Sequence, residues 1–224
     1  MLPDEDLVKL VLKANPNTIL VLVSSFPYTI NWSQEHVPAI VHITHCSQEQ
    51  GNGLADVLFG KVNPAGRTVQ TWVKDIIDLP DMMDYDIRNG RTYMYHQGLC
   101  SILRLWSELF RLTYEKIESV KQDKKNIRVT VSVKNTSGRD GEEVVQLYAS
   151  YPDSKVERPS KQLRAFKRIP IKAGETREVT LTVPKEELGY WNEGKQMFIV
   201  EPGTVKLLIG ASSEDIRLEG KIRL

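Results

Sequence analysis

The side chains best suited to chemistry lie together in the short stretch Thr44 to Glu49, whose sequence is THCSQE. It contains His45, Ser47 and Glu49, residue types that transfer protons and act as nucleophiles. Their order permits a triad, but no G-x-S-x-G elbow presents the serine. A glutamate beside a helix start also commonly accepts backbone N–H groups. We therefore favour a hydrogen-bonding role for His45 and a loop-fixing role for Glu49 at the edge of a site. Catalysis by Glu49 is the alternative.

Metal and redox chemistry are not indicated by the other histidines and the cysteines. His36, His42 and His96 do not show the spacing of metal ligands. Cys46 and Cys100 lack the paired spacing of a zinc site or a disulfide framework. We expect two ordinary thiols, no metal and no cofactor.

The charge and hydropathy of the chain exclude two classes of partner. The 224 residues include 30 lysines and arginines and 29 aspartates and glutamates, a formal net charge of +1. A dedicated nucleic-acid-binding protein would show a basic excess, so no nucleic acid is expected. No apolar run of about 18 residues indicates a transmembrane helix, and the N-terminus does not resemble a signal peptide. We therefore expect no membrane partner.

A strand and a helix flank the stretch that carries these side chains. Ala39 to Ile43 has the pattern of a buried strand, and Leu54, Val57 and Leu58 form one apolar face of a short helix. Gly60 stands where a left-handed residue would end that helix. Ligands bind at the carboxyl ends of strands in α/β sheets, so the sequence places the polar stretch at such an edge.

The preceding residues extend this pattern into part of a doubly wound α/β sheet. A helix is predicted before Ala14, because apolar residues repeat at helical spacing and Pro16 then stops it. Thr18 to Val23 is a continuous apolar run, typical of a parallel strand covered on both faces. A further strand is predicted at Thr68 to Trp72, and residues 75–89 are predicted to form an ordered loop.

The C-terminal half changes to a period of two, which is typical of β-strands. The alternating or apolar runs are Ile127 to Val133, Val144 to Tyr148, Val179 to Val183 and Val205 to Ile209. Turn signals containing glycine separate these runs. About seven short strands over this length predict an all-β, immunoglobulin-like sandwich.

Several long motifs resemble glycoside hydrolase family 3, the family of β-glucosidases and β-xylosidases. Gln48 to Arg67 reads QExGxxLADVLFGxxNPxGR and is followed by Thr71-Trp72, as in the C-terminal α/β-sandwich domain of that family. Glu143 to Tyr148 and Gly210 to Ser213 resemble the fibronectin type III-like domain that ends many members. The resemblance implies a partial α/β-sandwich domain followed by a fibronectin type III-like β-sandwich.

The resemblance also implies which residues support the site and which groups lie elsewhere. Family members carry the nucleophilic Asp on an N-terminal (β/α)₈ barrel and the acid/base Glu upstream of the first helix here. Neither motif has a match, so no catalytic residue is assigned in this chain. Arg67, Arg88 and Arg91 fall in family segments and are expected to be structural or to lie at a domain interface. The alternative for Arg88 and Arg91 is a strand with two exposed arginines.

The segment Leu99 to Leu112 departs from the family, which has Pro-Phe-Gly-Tyr-Gly-Leu-Ser-Tyr there. Permitted codons for Ile102 to Leu112, read one base later, give Ser-Phe-Gly-Tyr-Gly-Leu-Ser-Tyr-Ser-Asp. We interpret the segment as locally frameshifted, with the frame restored at Thr113. The predicted domains are therefore residues 1–98, an anomalous connector 99–113 and a sandwich domain 114–224.

Two functions are compatible with these observations. The first is the C-terminal portion of a retaining, exo-acting β-glycosidase that meets β-linked glucosides or xylosides through the barrel and is inactive alone. The second is a non-catalytic, carbohydrate-associated or scaffolding module. Such a module would use aromatic residues of the sandwich, namely Tyr148, Tyr151, Tyr190 and Trp191, although such residues more commonly pack in cores.

Overall fold

The computed structural model describes residues 3–96 and 111–224, and these form two compact units. Of the described residues, the first unit contains 3–64, 68–92 and 96. The second contains 65–67, 93–95 and 111–224. Apart from Arg111 and Leu112, the segment interpreted as frameshifted lies outside the described residues. Two short segments of the N-terminal half, residues 65–67 and 93–95, thus belong to the second unit.

The first unit is a small α/β structure built around two parallel strands. Its elements are α1 (Pro3–Ala14), β1 (Ile19–Val23), α2 (Asn31–His36), β2 (Ala39–Ile43) and α3 (Gln50–Leu58), with 3₁₀ turns at Ile76–Asp78 and Ile87–Asn89. The strands pair in register from Ile19 opposite Ala39 to Val23 opposite Ile43. No helix within residues 3–96 or 111–224 is long and apolar enough to cross a bilayer.

Trp72 is at the centre of the core of this unit. Its side chain is 2% exposed and packs with Ile30, Val37 and Ile40, and apolar residues of α1 and β1 lie against this cluster. The helix predicted before Ala14 is confirmed as α1. The predicted left-handed end of the third helix is also confirmed, since Gly60 has φ of 72°.

Of two strand predictions for this unit, one was right only in part and the other was wrong. The parallel strand predicted at Thr18 to Val23 is confirmed as β1, but it is not covered on both faces, because Ile19 and Val23 are exposed. Residues 68–72 form no strand, although their pattern alternates. Gln70 donates instead to the carbonyl of Ser25 at 3.2 Å, and Trp72 enters the core. An alternating pattern indicates a strand only where a neighbouring strand is available to pair.

The second unit is an antiparallel β-sandwich, as the sequence predicted. Its strands are β3 (Leu112–Gln122), β4 (Asn126–Asn135), β5 (Gly141–Ser150), β6 (Gln162–Ile171), β7 (Thr176–Pro184), β8 (Tyr190–Asn192), β9 (Met197–Ile199), β10 (Thr204–Gly210) and β11 (Ile216–Arg223). One sheet has the order β11-β10-β5-β6 and the other β3-β4-β7, while β8 and β9 form a separate hairpin.

The core of the sandwich follows from the alternation along its strands. β4 directs Val129, Val131 and Val133 to one face, and β5 directs Val145 and Leu147 to the same core; all five are fully buried. Each such side chain contributes about 1.5–3 kcal/mol on burial. The strands that the sequence predicted most clearly are therefore those whose side chains fill the hydrophobic core.

Candidate functional site

The loop Thr44 to Glu49 follows β2 directly and is exposed to solvent. Its shape is fixed by α3, because Cys46 N donates to the Gln50 side-chain oxygen at 3.1 Å and Gln50 N donates to Ser47 O at 3.2 Å. The structure therefore places His45 and Glu49 in one loop, at the carboxyl end of a parallel strand. Such an edge is a common place for ligand binding in α/β folds.

Glu49 occupies the N-cap position of α3, but its side chain caps no backbone N–H. Its Oε2 instead accepts from Asn52 Nδ2 at 2.6 Å, so the expected backbone-capping contact is not made. Within the described loop, no hydrogen bond joins His45 to Ser47 or Glu49, and a triad is not assembled. Glu49 is thus a solvated carboxylate held by one amide, and the loop is fixed by Gln50.

An aromatic contact joins β2, the strand that precedes the loop, to the core. The His42 ring lies edge-on to Trp72, with centroids 5.1 Å apart, and its Nε2 is 3.1 Å from Ser24 O. From its spacing, His42 was expected only not to be a metal ligand. The structural role of His42 is its contact with Trp72. The Thr71-Trp72 motif was the available sign of that contact in the sequence.

Arg88 and Arg91 both stabilise the loop of residues 81–91. Arg88 Nε lies 2.8 and 3.0 Å from the two carboxylate oxygens of Asp86, and this guanidinium lowers the pKa of Asp86 to about 2. Arg91 donates to main-chain carbonyls, with Nε 3.0 Å from Asp84 O and Nη2 2.7 Å from Asp81 O. The alternative of a strand with exposed arginines is wrong, because residues 87–89 form a 3₁₀ turn.

Arg67 belongs to the second unit and forms its most buried ion pair among the described residues. Its Nη2 donates to Glu143 Oε1, and the Glu143 side chain is only 3% exposed. Arg67 Nε donates to Ala211 O at 3.2 Å, and the same carbonyl accepts from Gln146 Nε2 at 3.0 Å. Sequence reasoning missed Glu143, because nothing in the pattern of β5 links it to an arginine 76 residues earlier.

A second arginine, Arg217, lies beside the ring of Tyr114. The Arg217 guanidinium carbon is 5.0 Å from the centroid of the Tyr114 ring. Burial raises the pKa of Tyr114, and the negative charge of Glu143 raises it further. Tyr114 is therefore neutral at ordinary pH, and the charge of Glu143 is balanced by arginine.

The four aromatic residues proposed to stack on sugars have different environments. Tyr148 is buried, and Tyr151 and Tyr190 lie 3.7 and 5.5 Å from the guanidinium carbon of Arg158. Trp191 is 48% exposed and packs edge-on against Phe198. Of the four, Trp191 presents the largest solvent-exposed fraction.

Comparison with protein families gives the two halves of the chain separate matches. The family model described as "Glycosyl hydrolase family 3 C-terminal domain" matches residues 2–101, and the "Fibronectin type III-like domain" model matches residues 143–213. The chain belongs to glycoside hydrolase family 3. The partial α/β-sandwich and the fibronectin type III-like sandwich expected from the sequence are thereby confirmed.

Curated relatives of this family 3 chain are named β-glucosidases. The chain is 33% identical to the Rhizobium radiobacter protein, over 98% of this chain and 29% of that protein. It is 35% identical to the Kluyveromyces marxianus protein, over 94% of this chain and 26% of that protein. The chain therefore spans less than a third of the length of these relatives.

Solved structures of the family share the fold of this chain. The β-glucosidase of K. marxianus in complex with glucose superimposes with a TM-score of 0.86 and 30% identity, covering 98% of this chain and 28% of that chain. β-Glucosidase 3B of Thermotoga neapolitana, in complex with α-D-glucose, gives 0.82 and 27%, covering 98% and 33%. The similarity extends over both units of the family 3 chain.

Proposed function

We propose that this family 3 chain acts as the C-terminal portion of a retaining, exo-acting β-glycosidase that hydrolyses β-glucosides, with β-xylosides as the second substrate class. The observation that carries the proposal is the match to proteins named β-glucosidase over nearly the whole chain. The remainder of those proteins, about 70% of their length, has no counterpart here and would supply the barrel.

The proposed role of the chain is support of the site rather than the bond-breaking step. Retaining glycosidases use two carboxyl groups about 5–5.5 Å apart. The nucleophile and the acid/base belong to family segments without a match in this sequence. Glu49, the carboxylate best placed at the strand edge, is exposed and bonded to Asn52. We assign His45 and Glu49 to the rim of the substrate site.

The arginines are assigned to holding the surrounding segments in place. Arg88 and Arg91 fix the 81–91 loop through Asp86 and main-chain carbonyls, and Arg67 fixes residues 65–67 through Glu143. We further propose domain boundaries at residues 98 and 114. Residues 65–67, 93–95 and 111–113 also belong to the second unit, in addition to residues 114–224.

Activity of the purified chain tests the first part of the proposal. The chain alone is expected to release no nitrophenol from an aryl β-glucoside or β-xyloside above the buffer rate, because two carboxylates supply most of the chemistry in such enzymes. Glu49→Gln is the matched variant. Turnover by the chain that this variant abolishes would contradict the proposal.

A chimera tests the second part. The segment of the K. marxianus β-glucosidase that aligns with this chain is replaced by residues 1–224, and aryl β-glucoside hydrolysis is measured. The expected result is activity well above that of the relative truncated before the segment. A folded chimera no more active than the truncated relative would overturn the assignment of this chain to the enzyme.

A further inference from the structure

An open groove of about 430 Å³ runs along one side of the sandwich, where the free edges of β6 and β7 meet. In the described sheets each of these strands has a hydrogen-bonded neighbour on one side only. The groove is lined by Arg164, Phe166 and Lys167 from β6 and by Thr180 and Thr182 from β7. Its volume falls within the range of small-ligand sites.

The groove carries positive charge that no described carboxylate neutralises by an ion pair. The Lys167 side chain forms no ion pair or hydrogen bond within residues 3–96 and 111–224. Arg164 Nη2 donates to the Gln162 side chain, but its buried Nε has no partner. The third cation of β6, Arg168, is paired with Glu142. Glu187 is the one acidic residue among the described groove-lining residues, and it forms no ion pair.

A third cation, Arg158, lies close enough to Arg164 for their charges to interact. The Arg158 guanidinium stacks on Tyr151 at 3.7 Å and donates to Leu188 O at 2.9 Å, which fixes it in place. Desolvation, with the positive charge of Arg164, lowers the pKa of Arg158. An anion bound near the two guanidinium groups would relieve this repulsion.

Protection of the sheet edge explains only part of the arrangement. Lys167 lies opposite Val145 in register, Pro170 lies further along β6, and the register shifts near Arg164. Such features prevent a further strand from adding to an edge. They do not account for Phe166, which is 68% exposed beside the lysine and would favour association. The groove is thus unfavourable for an added β-strand yet keeps an exposed aromatic ring.

We propose that this groove binds a carboxylate-bearing saccharide. A sugar ring stacks on Phe166, its carboxylate pairs with Arg164 and Lys167, and its hydroxyls exchange hydrogen bonds with Thr180 and Thr182. Charge-assisted hydrogen bonds from a guanidinium and an ammonium to a carboxylate are stronger than bonds from neutral donors. The choice of a saccharide rather than an acidic peptide rests on the proposed function. The observations of the charge and of the aromatic ring are independent of that function.

Calorimetric titration of the full chain at low ionic strength tests the proposal with three probes. Trigalacturonic acid is expected to bind at least about tenfold more tightly than the neutral trisaccharide cellotriose, since hydrogen bonds to a charged carboxylate are stronger than those to a neutral hydroxyl. Hexaglutamate is expected to bind more weakly than trigalacturonic acid, because it offers charge without a ring for Phe166. Absence of trigalacturonic acid binding at millimolar concentration overturns the proposal, as does equal or tighter binding of hexaglutamate.

Substitutions then locate the site. Phe166→Ala and Lys167→Gln are each expected to weaken trigalacturonic acid binding by about fivefold or more. Lys221→Gln changes the same charge on β11, the opposite edge of that sheet, and is the matched control. Thermal melts confirm that the variants fold, which the exposure of Phe166 favours. Equal effects of the two lysine substitutions would show nonspecific attraction and overturn the site. The glycosidase activity of the chimera is expected not to change with any of the three substitutions, so it tests the proposed function separately.

Discussion

Replacement of Arg67 by methionine tests how the buried carboxylate of Glu143 is balanced. Arg67→Met keeps an unbranched apolar stem but removes the cation that pairs with the buried Glu143 carboxylate. Removing one partner of a buried pair typically costs 3–5 kcal/mol. Arg67 is partly exposed, so water lowers this cost and we expect about 2–3 kcal/mol. For a unit of this size that corresponds to a melting temperature lower by about 8–12 °C.

Urea denaturation of the full chain, followed by far-UV circular dichroism, measures this loss. The double variant Arg67→Met/Glu143→Gln removes the charge and is expected to lose at least about 1 kcal/mol less than the sum of the single variants. Hydrogen exchange adds a local readout, because Val144 N donates to Glu143 Oε1 at 2.8 Å. That amide is expected to exchange faster in Arg67→Met.

Arg128→Met is the matched control, because the ion pair of Arg128 with Asp123 is exposed in the same unit and exposed ion pairs contribute little. Its stability is expected to stay close to that of the parent chain. The reasoning would be refuted if Arg67→Met were as mild as Arg128→Met. Strict additivity of the Arg67 and Glu143 substitutions would refute it equally.

Four further outcomes are expected. Trp72→Ala should destabilise the first unit by about 3–5 kcal/mol in urea denaturation, because it empties the centre of a core. Gly210→Ala should cost at least about 2 kcal/mol, since a Cβ there would lie 2.0 Å from Asp215 O. The pKa of Asp86 in the folded state is lowered from 3.8 to about 2. Its contribution to stability is therefore present above pH 4 and lost as the pH falls towards 2. Asp86→Asn should remove that part of the pH dependence, and an NMR titration of the carboxyl should give the low pKa. Restoring Ser-Phe-Gly-Tyr-Gly-Leu-Ser-Tyr-Ser-Asp-Phe at residues 102–112 should raise solubility and melting temperature, and the encoding DNA should show a shifted frame; a less stable restored variant would end that interpretation.

The sandwich was predictable because its period of two is set by the core itself. β4, β5, β7 and β10 each place buried residues at alternate positions, so their apolar pattern was clear. β6 was not predicted from periodicity, because lysine, arginine and proline interrupt its apolar residues at the free edge of a sheet. Edge strands lose their pattern for the physical reason that one side of them faces water.

Only the location of the candidate site in the first unit could be predicted. A strand followed by a polar loop and a helix placed His45 and Glu49 correctly in the chain, since that order is local. The partner of Glu49 is Asn52, three residues further along the chain, and the choice between this side chain and a backbone N–H is one of side-chain rotamer, which spacing does not show. The pairing of Arg67 with Glu143 is non-local, and no single sequence contains that information in its spacing.

The pairing of Arg67 with Glu143 has a consequence for the chain as it leaves the ribosome. Arg67 is synthesised 76 residues before its partner, which at 5–20 residues per second is an interval of about 4–15 s. Throughout that interval the guanidinium has no buried carboxylate to meet. Residues 65–67 therefore take their final place only after the sandwich has emerged. A translational pause before Glu143 would lengthen the time in which the nascent first unit is exposed to chaperones and proteases.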